Sequence, residues 1–490
     1  MSPGYLITIL PLIIVGGAAV VIMLVIALHR SHRLTAGLSL VALAAAFAGI
    51  FRALPPEPTH VTSLLIIDRF SLFYMGLVLA ASAAVILLAY GYLAARDCRR
   101  EEFYILVLLA ALGSAVLVSA AHFAAFFLGL EVLSVSLYAL VAYVPRAGSV
   151  EAGMKYLILA AASAAILLFG MALVYAETGT MRFDVEPTFP STAALAGLAL
   201  IVVGVGFKLA LVPFHLWTPD VYEGAPAPVT AFIATVSKGA MFAFLLRFVD
   251  AFGNHARPAQ ILIFSAIAVM SMLVGNLLAL FQANVKRLLA YSSIAHLGYL
   301  LVAFMAGRQS GTEAATFYLV AYFVTMLGAL GVVTVLSPAS RDADRMEDYR
   351  GLARRRPVVA AVFTAMLLSL AGVPLTAGFI GKFFVLGAGV ERGLWLLVLV
   401  MVAASAVSIF YYLRLVIEMY RESEGAGATS GATATQNSVA VPPAVPPPAV
   451  SRLSLAGGIV LAAMVLALIG LGVYPGPLVE LVGAVAEALR

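Results

Sequence analysis

Long apolar runs separated by short polar breaks make up most of the chain. A helix needs ~20 predominantly apolar residues to cross a bilayer. Runs of that length fall near residues 5–28, 34–52, 71–94, 103–120, 123–144, 152–176, 193–216, 227–252, 260–281, 288–306, 314–336, 357–390, 393–419 and 453–475. The pattern predicts an all-α polytopic membrane protein with about fourteen transmembrane helices and an interfacial tail after Val473. The first run has no basic segment ahead of it and is too long for a signal peptide, so it reads as the first span.

Two of the runs are interrupted. Span 7 reads GFKLALVPFHLW, with Pro213 following Lys208; span 12 reads SLAGVPLTAGFIGKFF, with Pro374 and Gly378 preceding Lys382. Proline removes a backbone donor and clashes with the preceding turn. Inside a membrane, the freed groups must be met by protein or by cavity water. Broken helices in corresponding positions of two halves are a mark of inverted-repeat transporters. Spans 7 and 12 are five apart, and an odd offset inverts the second unit. Spans 4–8 and 9–13 are therefore expected to form inverted five-helix repeats. The expected divisions are an N-terminal three-helix segment (1–100), a first repeat (101–255), a second, inverted repeat (256–421), a flexible cytoplasmic Ala/Thr/Pro-rich linker (422–450), and a C-terminal helix and tail (451–490).

Composition agrees with a membrane setting. The chain is 63% hydrophobic and 11% charged, with a mean hydropathy of +1.06, whereas a soluble domain is near a quarter charged. The net charge of +5 does not indicate nucleic acid, because the arginines are dispersed over short loops without interleaved aromatics. They concentrate in the loops after odd-numbered spans. The positive-inside rule assigns those loops to the cytoplasm and both termini to the far side. The single cysteine, Cys98, excludes an internal disulfide or a Cys-ligated cluster. No nucleotide-binding, haem or metal-ligand motif is present, so redox or ATP chemistry would need partner subunits.

Charge becomes informative where it is out of place. Of 29 basic residues only five are lysine, and Lys208, Lys238 and Lys382 lie deep inside apolar runs. A charge at mid-membrane costs at least ~2.5–3.5 kcal/mol and usually marks an ion or proton path. Lysine, unlike arginine, readily changes its protonation when buried. Glu131, eight residues into span 5, is the matching carboxylate. Burial favours the neutral form of either group and approach of the other favours the charged form, so a changing Glu–Lys distance would act as a gate. The alternative is a static ion pair between Glu131 and a lysine. His296, in YSSIAHLGY of span 10, titrates nearest neutrality; Ser292, Ser293 and Tyr299 could hydrate a path past it, although a hydrogen-bonded structural histidine is the plainer reading. His215 beside Pro213 suits a hinge or relay. Tyr138, Ser134 and Ser136 are weaker candidates, and Asp220 and Glu223 read as loop residues.

These same segments carry a resemblance. FKLALVPFHLWTPDVYEGAPAPVTAFIATVSKGAMFAFLLR resembles the signature of the antiporter-like proton-channel subunits of respiratory complex I, and DVYEGAPAPVTAF resembles their subunit N branch. LEVLSVSLYALVAY, NLLALFQANVKRLLAYSSIAHLGYLL and EDYRGLARRRPVVAAVFTAMLLSLAGVPLTAGFIGKFFV fit the same branch, over roughly residues 65–420. The resemblance implies a subunit of a proton-translocating NADH:quinone oxidoreductase in a bacterial inner membrane. It would carry no cofactor of its own, with NADH, FMN, iron–sulfur clusters and quinone handled by partner subunits. It further implies that Glu131, Lys208, Lys238 and Lys382 form a charged axis with His296, that Lys208 is the central carrier, and that Lys382 leads to the far-side exit. Lys155, in EAGMKY, would lie near the cytoplasmic opening, where a snorkelling charge is the alternative. An Mrp-type cation/proton antiporter, the membrane arm of a hydrogenase and a passive assembly scaffold remain open as rival functions.

Overall fold

The computed structural model describes residues 3–55, 57–183, 191–251, 258–307, 309–422 and 454–489. The expected linker at 422–450 therefore lies almost wholly outside the described residues. The chain opens with α1 (Pro3–Thr8), α2 (Leu10–Leu28) and α3 (His32–Ala53). A small antiparallel hairpin, β1 (Thr59–Val61) with β2 (Leu65–Ile67), leads into α4 (Arg69–Ala94). Next come α5 (Glu101–Val118), α6 (Phe123–Val141), α7 (Ala147–Thr178), α8 (Thr192–Leu209), the short α9 (Trp217–Gly224) and α10 (Ala227–Phe232). A π-helical turn, Ile233–Ser237, joins α10 to α11 (Lys238–Ala251). The second half holds α12 (Pro258–Leu280), α13 (Val285–Ala306), α14 (Ser310–Leu336), a 3-10 turn Met346–Tyr349, α15 (Leu352–Arg355), α16 (Pro357–Ala371), α17 (Ala377–Glu391) and α18 (Trp395–Tyr420). α19 (Leu455–Val473) and α20 (Gly476–Glu487) close the chain.

Among the described residues, thirteen helices are long and apolar enough to cross a membrane. The broken pair α16 and α17 supplies the remaining expected span. The innermost spans are Ala227–Phe248, Val285–Ala306 and Ser310–Leu336, which are 100%, 83% and 78% buried over their apolar windows. A helix that is apolar all round belongs in such a core, and these three carry Lys238, His296 and the buried Tyr299, Tyr318 and Tyr322. The tail beyond Val473 forms α20, which packs on α14 and α4.

The two broken spans end in the same hydrogen-bond motif. In α8, Ala210 N–H donates to Phe207 O and Leu211 N–H to Gly206 O; in α16, Gly372 N–H donates to Ser369 O and Val373 N–H to Leu368 O. This is a Schellman cap, which requires a left-handed residue just past the helix. Gly372 meets the requirement at φ +86°, and Ala210 adopts φ +60° without a glycine's freedom. The breaks thus begin at Ala210 and Gly372. Pro213 and Pro374 follow within three residues, where they prevent the helix from resuming. Span 7, read from sequence as one run to residue 216, is helical only to Leu209.

Charged groups staple the ends of the bundle. Arg247 of α11 makes paired 2.9 Å hydrogen bonds to both oxygens of Asp68, the N-cap of α4. On the side of the odd-numbered loops, Asp342 is buried and accepts from Lys286 at 2.8 Å and from the Tyr92 hydroxyl at 2.6 Å, with Arg96 and Arg146 beside it. Burial alone would raise this carboxyl, but Lys286, Tyr92 and Arg96 outweigh it and hold Asp342 below the ordinary carboxylate range. Lys286 is the second residue of α13, a helix end where a lysine usually meets solvent. It is instead fully enclosed.

The restart of α17 is tightly constrained. Gly378 N–H donates to Ser369 Oγ at 3.0 Å, and a Cβ at Gly378 would lie 2.0 Å from Ser369 O. Gly378→Ala is expected to destabilise the subunit by ~1–3 kcal/mol, the usual cost of overpacking. Gly387→Ala, on the same helix with open space around it, serves as the control. Thermal denaturation of the detergent-solubilised membrane complex should separate the two variants.

Candidate functional site

Three buried lysines define the site, and each has the same two neighbours. Lys208 Nζ donates to Ser134 Oγ, Lys238 Nζ to Ser293 Oγ and Lys382 Nζ to Ser405 Oγ, each at 2.7 Å. Each Nζ also lies over a tyrosine face: Tyr156 at 5.7 Å, Tyr222 at 5.3 Å and Tyr299 at 5.3 Å. A ring face favours the ammonium form, while a hydroxyl can serve the ammonium or the amine. No carboxylate lies within ion-pair distance of these lysines among the described residues. The environment therefore leaves both protonation states hydrogen-bonded, as a proton carrier needs.

The broken helices position two of the three. Lys208 sits in the last turn of α8, two residues before the left-handed Ala210. Lys382 lies beyond its break on α17 and reaches back to donate to Ala371 O, the final residue of α16, at 2.9 Å. Helix C-termini carry unpaired carbonyls and partial negative charge, so both amines sit where a helix end stabilises a cation. Lys238 follows directly on the π-helical turn, a local widening often found at functional positions.

Among the described residues, Glu131 on α6 makes no ion pair within 4.0 Å, and its shielded Oε1 has no hydrogen-bond partner. The static Glu131–lysine pair is thus not the arrangement seen. Ser134, one turn further along α6, takes the Lys208 contact instead. Ser136 and Tyr138 have other partners: Ser136 Oγ donates to Val132 O, and Tyr138 packs edge-on against Tyr156. Nor do Lys208 and Lys238 share a partner, since they bond to α6 and α13 respectively.

His296 on α13 lies among tyrosines. Tyr318 OH is 2.7 Å from Nδ1, and Tyr412 OH is 3.4 Å from Nε2. Ser292 Oγ makes a short hydrogen bond with the Tyr412 hydroxyl. Tyr299, one turn beyond His296, accepts from Asn276 Nδ2 at 3.0 Å, and Tyr411 donates to Asn276 Oδ1 at 3.0 Å. α13 thus presents Ser293, His296 and Tyr299 in succession between Lys238 and Lys382. His215, in the break after α8, is buried with no partner for Nδ1.

A cavity of about 480 Å³ opens on the side of the odd-numbered loops. Its lining includes Lys155, Asp220, Glu223, Arg287 and Asp342. Lys155 Nζ bonds to Asp220 at 2.9 Å and Glu151 at 2.8 Å, while Arg287 holds Asp220 at 2.7 Å and Glu223 at 2.8 Å. Asp220 and Glu223, read from sequence as loop residues, lie on α9. Partial burial alone would raise the Asp220 carboxyl, but Lys155 and Arg287 outweigh it and hold it low. Next to Lys155 in sequence, Tyr156 packs at a tilt against Trp217 with ring centroids 5.0 Å apart, and Tyr156 is the ring that faces Lys208. Among the described residues, no group of three or more His, Cys, Asp or Glu side chains is placed to hold a metal ion.

Residues 120–408 match the family model described as NADH:quinone oxidoreductase/Mrp antiporter, TM. A relative named NADH-quinone oxidoreductase subunit N, from Ectopseudomonas mendocina, is 47% identical over 98% of this chain and 96% of its own length. A chain in the structure of respiratory complex I from Thermus thermophilus with bound aureothin is 34% identical, covers 97% of this chain and 99% of its own, and has a TM-score of 0.79. A chain of the Mrp complex from Dietzia covers 100% and 98% with a TM-score of 0.87, but at 22% identity it shares the fold alone. The chain is a multi-pass membrane protein of the NADH:quinone oxidoreductase/Mrp antiporter family and belongs to its NADH-quinone oxidoreductase subunit N members.

Proposed function

We propose that this chain is the subunit N-type proton-translocating member of a NADH:quinone oxidoreductase. Other membrane-arm subunits adjoin it, and electron transfer from NADH to quinone takes place in partner subunits that carry the FMN and iron–sulfur clusters. The lone Cys98 is too few thiolates for such a cluster. The observation that carries the reading is the set of three buried lysines, each held by a serine hydroxyl rather than a carboxylate. Membrane antiporter chemistry without redox coupling shares the fold, but the 47% identical relative is a NADH-quinone oxidoreductase subunit.

The path begins at the charged cavity lined by Lys155, Asp220 and Glu223, on the cytoplasmic side by the positive-inside rule. Both termini are then periplasmic, in a bacterial inner membrane. Protons pass to Lys208, then to Lys238, His296 and Lys382, and leave on the far side through the second broken helix. Glu131 biases Lys208 electrostatically. A carboxylate approaching the amine favours its charged form, and retreat releases the proton. Pro213, His215, Pro374 and Gly378 belong to the breaks that position the lysines, with His215 the hinge or secondary relay. The halves 101–255 and 256–421 act as the two inverted repeats.

Exporting one charge against 100 mV costs ~2.3 kcal/mol, so the drive comes from neighbouring subunits. In proteoliposomes containing the assembled complex, Lys208→Ala is expected to lower protons moved per NADH oxidised at least twofold. Wild-type proton yield from that variant would sink the assignment. Glu131→Gln should lose less, because the amide keeps a polar contact while removing the charge. A larger loss for Glu131→Gln than for Lys208→Ala would reverse the proposed roles of carrier and bias.

A further inference from the structure

The three serines are not equivalent. Ser134 Oγ donates its hydrogen to Leu130 O at 2.6 Å, and Ser405 Oγ donates to Ala371 O at 3.3 Å. With their hydrogens committed to the backbone, these two serve their lysines only as acceptors. Among the described residues, Ser293 bonds only to side chains. It accepts from Lys238 Nζ at 2.7 Å and from Tyr222 OH at 3.4 Å, and lies 2.6 Å from Tyr322 OH. A hydroxyl has two acceptor positions and one hydrogen. With both acceptor positions filled, its hydrogen points to Tyr322. Ser293 and Tyr322 are both buried.

The location matters as much as the valence. Lys208–Ser134 lies within the first half and Lys382–Ser405 within the second, whereas Lys238–Ser293 joins α11 to α13 across the two. Tyr322 lies on α14 with its ring 5.6 Å from that of His296.

Building on the proton-conduction reading above, we propose that Ser293 and Tyr322 are the proton-transfer pair that carries a proton from Lys238 to His296, between the two halves. The Lys238 ammonium N–H breaks as an O–H forms on Ser293. The original Ser293 hydrogen moves to the Tyr322 oxygen, and the Tyr322 hydrogen leaves through one intervening water to the unprotonated ring nitrogen of His296. Lys238 ends as the amine and His296 as the imidazolium, with one proton moved. Both hydroxyls are restored with their hydrogens reversed, so each must rotate before the next transfer.

The test uses the assembled complex in proteoliposomes, with NADH-driven acidification read by a fluorescent amine and NADH oxidation read in parallel. Ser293→Ala and Tyr322→Phe are each expected to lower protons moved per NADH to the level of Lys238→Ala. Ser293→Thr, which keeps the hydroxyl, should stay within twofold of wild type. Tyr322→Phe leaves the Lys238–Ser293 bond intact, so it separates relay from tether and does not depend on Ser293→Ala assembling. A wild-type proton yield from Tyr322→Phe would overturn the relay and leave Ser293 as a tether for Lys238. If Lys238→Ala itself pumps fully, the parent reading fails along with the relay; if only the Tyr322 variant does, the relay alone fails.

Discussion

An amine buried in a low-dielectric interior needs a hydrogen-bond partner, and the choice of partner decides what it does. A carboxylate within ion-pair distance fixes the charge on both groups, and removing either leaves the other stranded at a cost of ~3–5 kcal/mol. This protein uses that arrangement at the ends of the bundle, in Arg247–Asp68 and Lys286–Asp342. Between those ends it uses the other arrangement. Lys208, Lys238 and Lys382 meet serine hydroxyls and tyrosine faces, which accommodate a proton without holding it permanently. On the proposed reading, the division between structural and mobile charge follows from the acceptor.

The broken helices belong to the same physics. An intact helix satisfies its own carbonyls and offers a buried cation nothing. Ending a helix inside the membrane frees carbonyls and exposes the negative end of its dipole. Lys208 occupies such an end on its own helix, and Lys382 reaches across a break to another. The two Schellman caps create these ends with matching hydrogen bonds, one at a glycine and one at an alanine held in left-handed geometry.

α13 is enclosed by α9 on one side of the sequence and by α12, α14, α17 and α18 on the other. Its polar face carries Ser292, Ser293, His296 and Tyr299 at helical spacing, and each finds a partner on α11, α12, α14 or α18. Burial on this scale tolerates few unsatisfied polar groups. Glu131 Oε1 and, in the first break, His215 Nδ1 are among the shielded side-chain atoms without a hydrogen-bond partner in the described residues.

Much of this was legible in the chain before folding. Apolar run length alone determined the membrane class and the number of spans, because a bilayer has a set thickness and hydropathy is a sum over neighbours. The cost of burying charge singled out Lys208, Lys238, Lys382, Glu131 and His296, and proline marked both breaks to within three residues. Asp220 and Glu223 looked like loop residues because two prolines and a glycine surround them, yet they form part of a short helix at the charged mouth. Lys286 and Arg247 sit near run ends, where solvent is the usual partner, so nothing local revealed their enclosure. Which acceptor each lysine meets depended on helices up to 74 residues apart in sequence. No periodicity encodes such a pairing. It arises only when α6, α13 and α18 pack against the lysine-bearing helices, so tertiary structure alone decided that the lysines face serines and not Glu131.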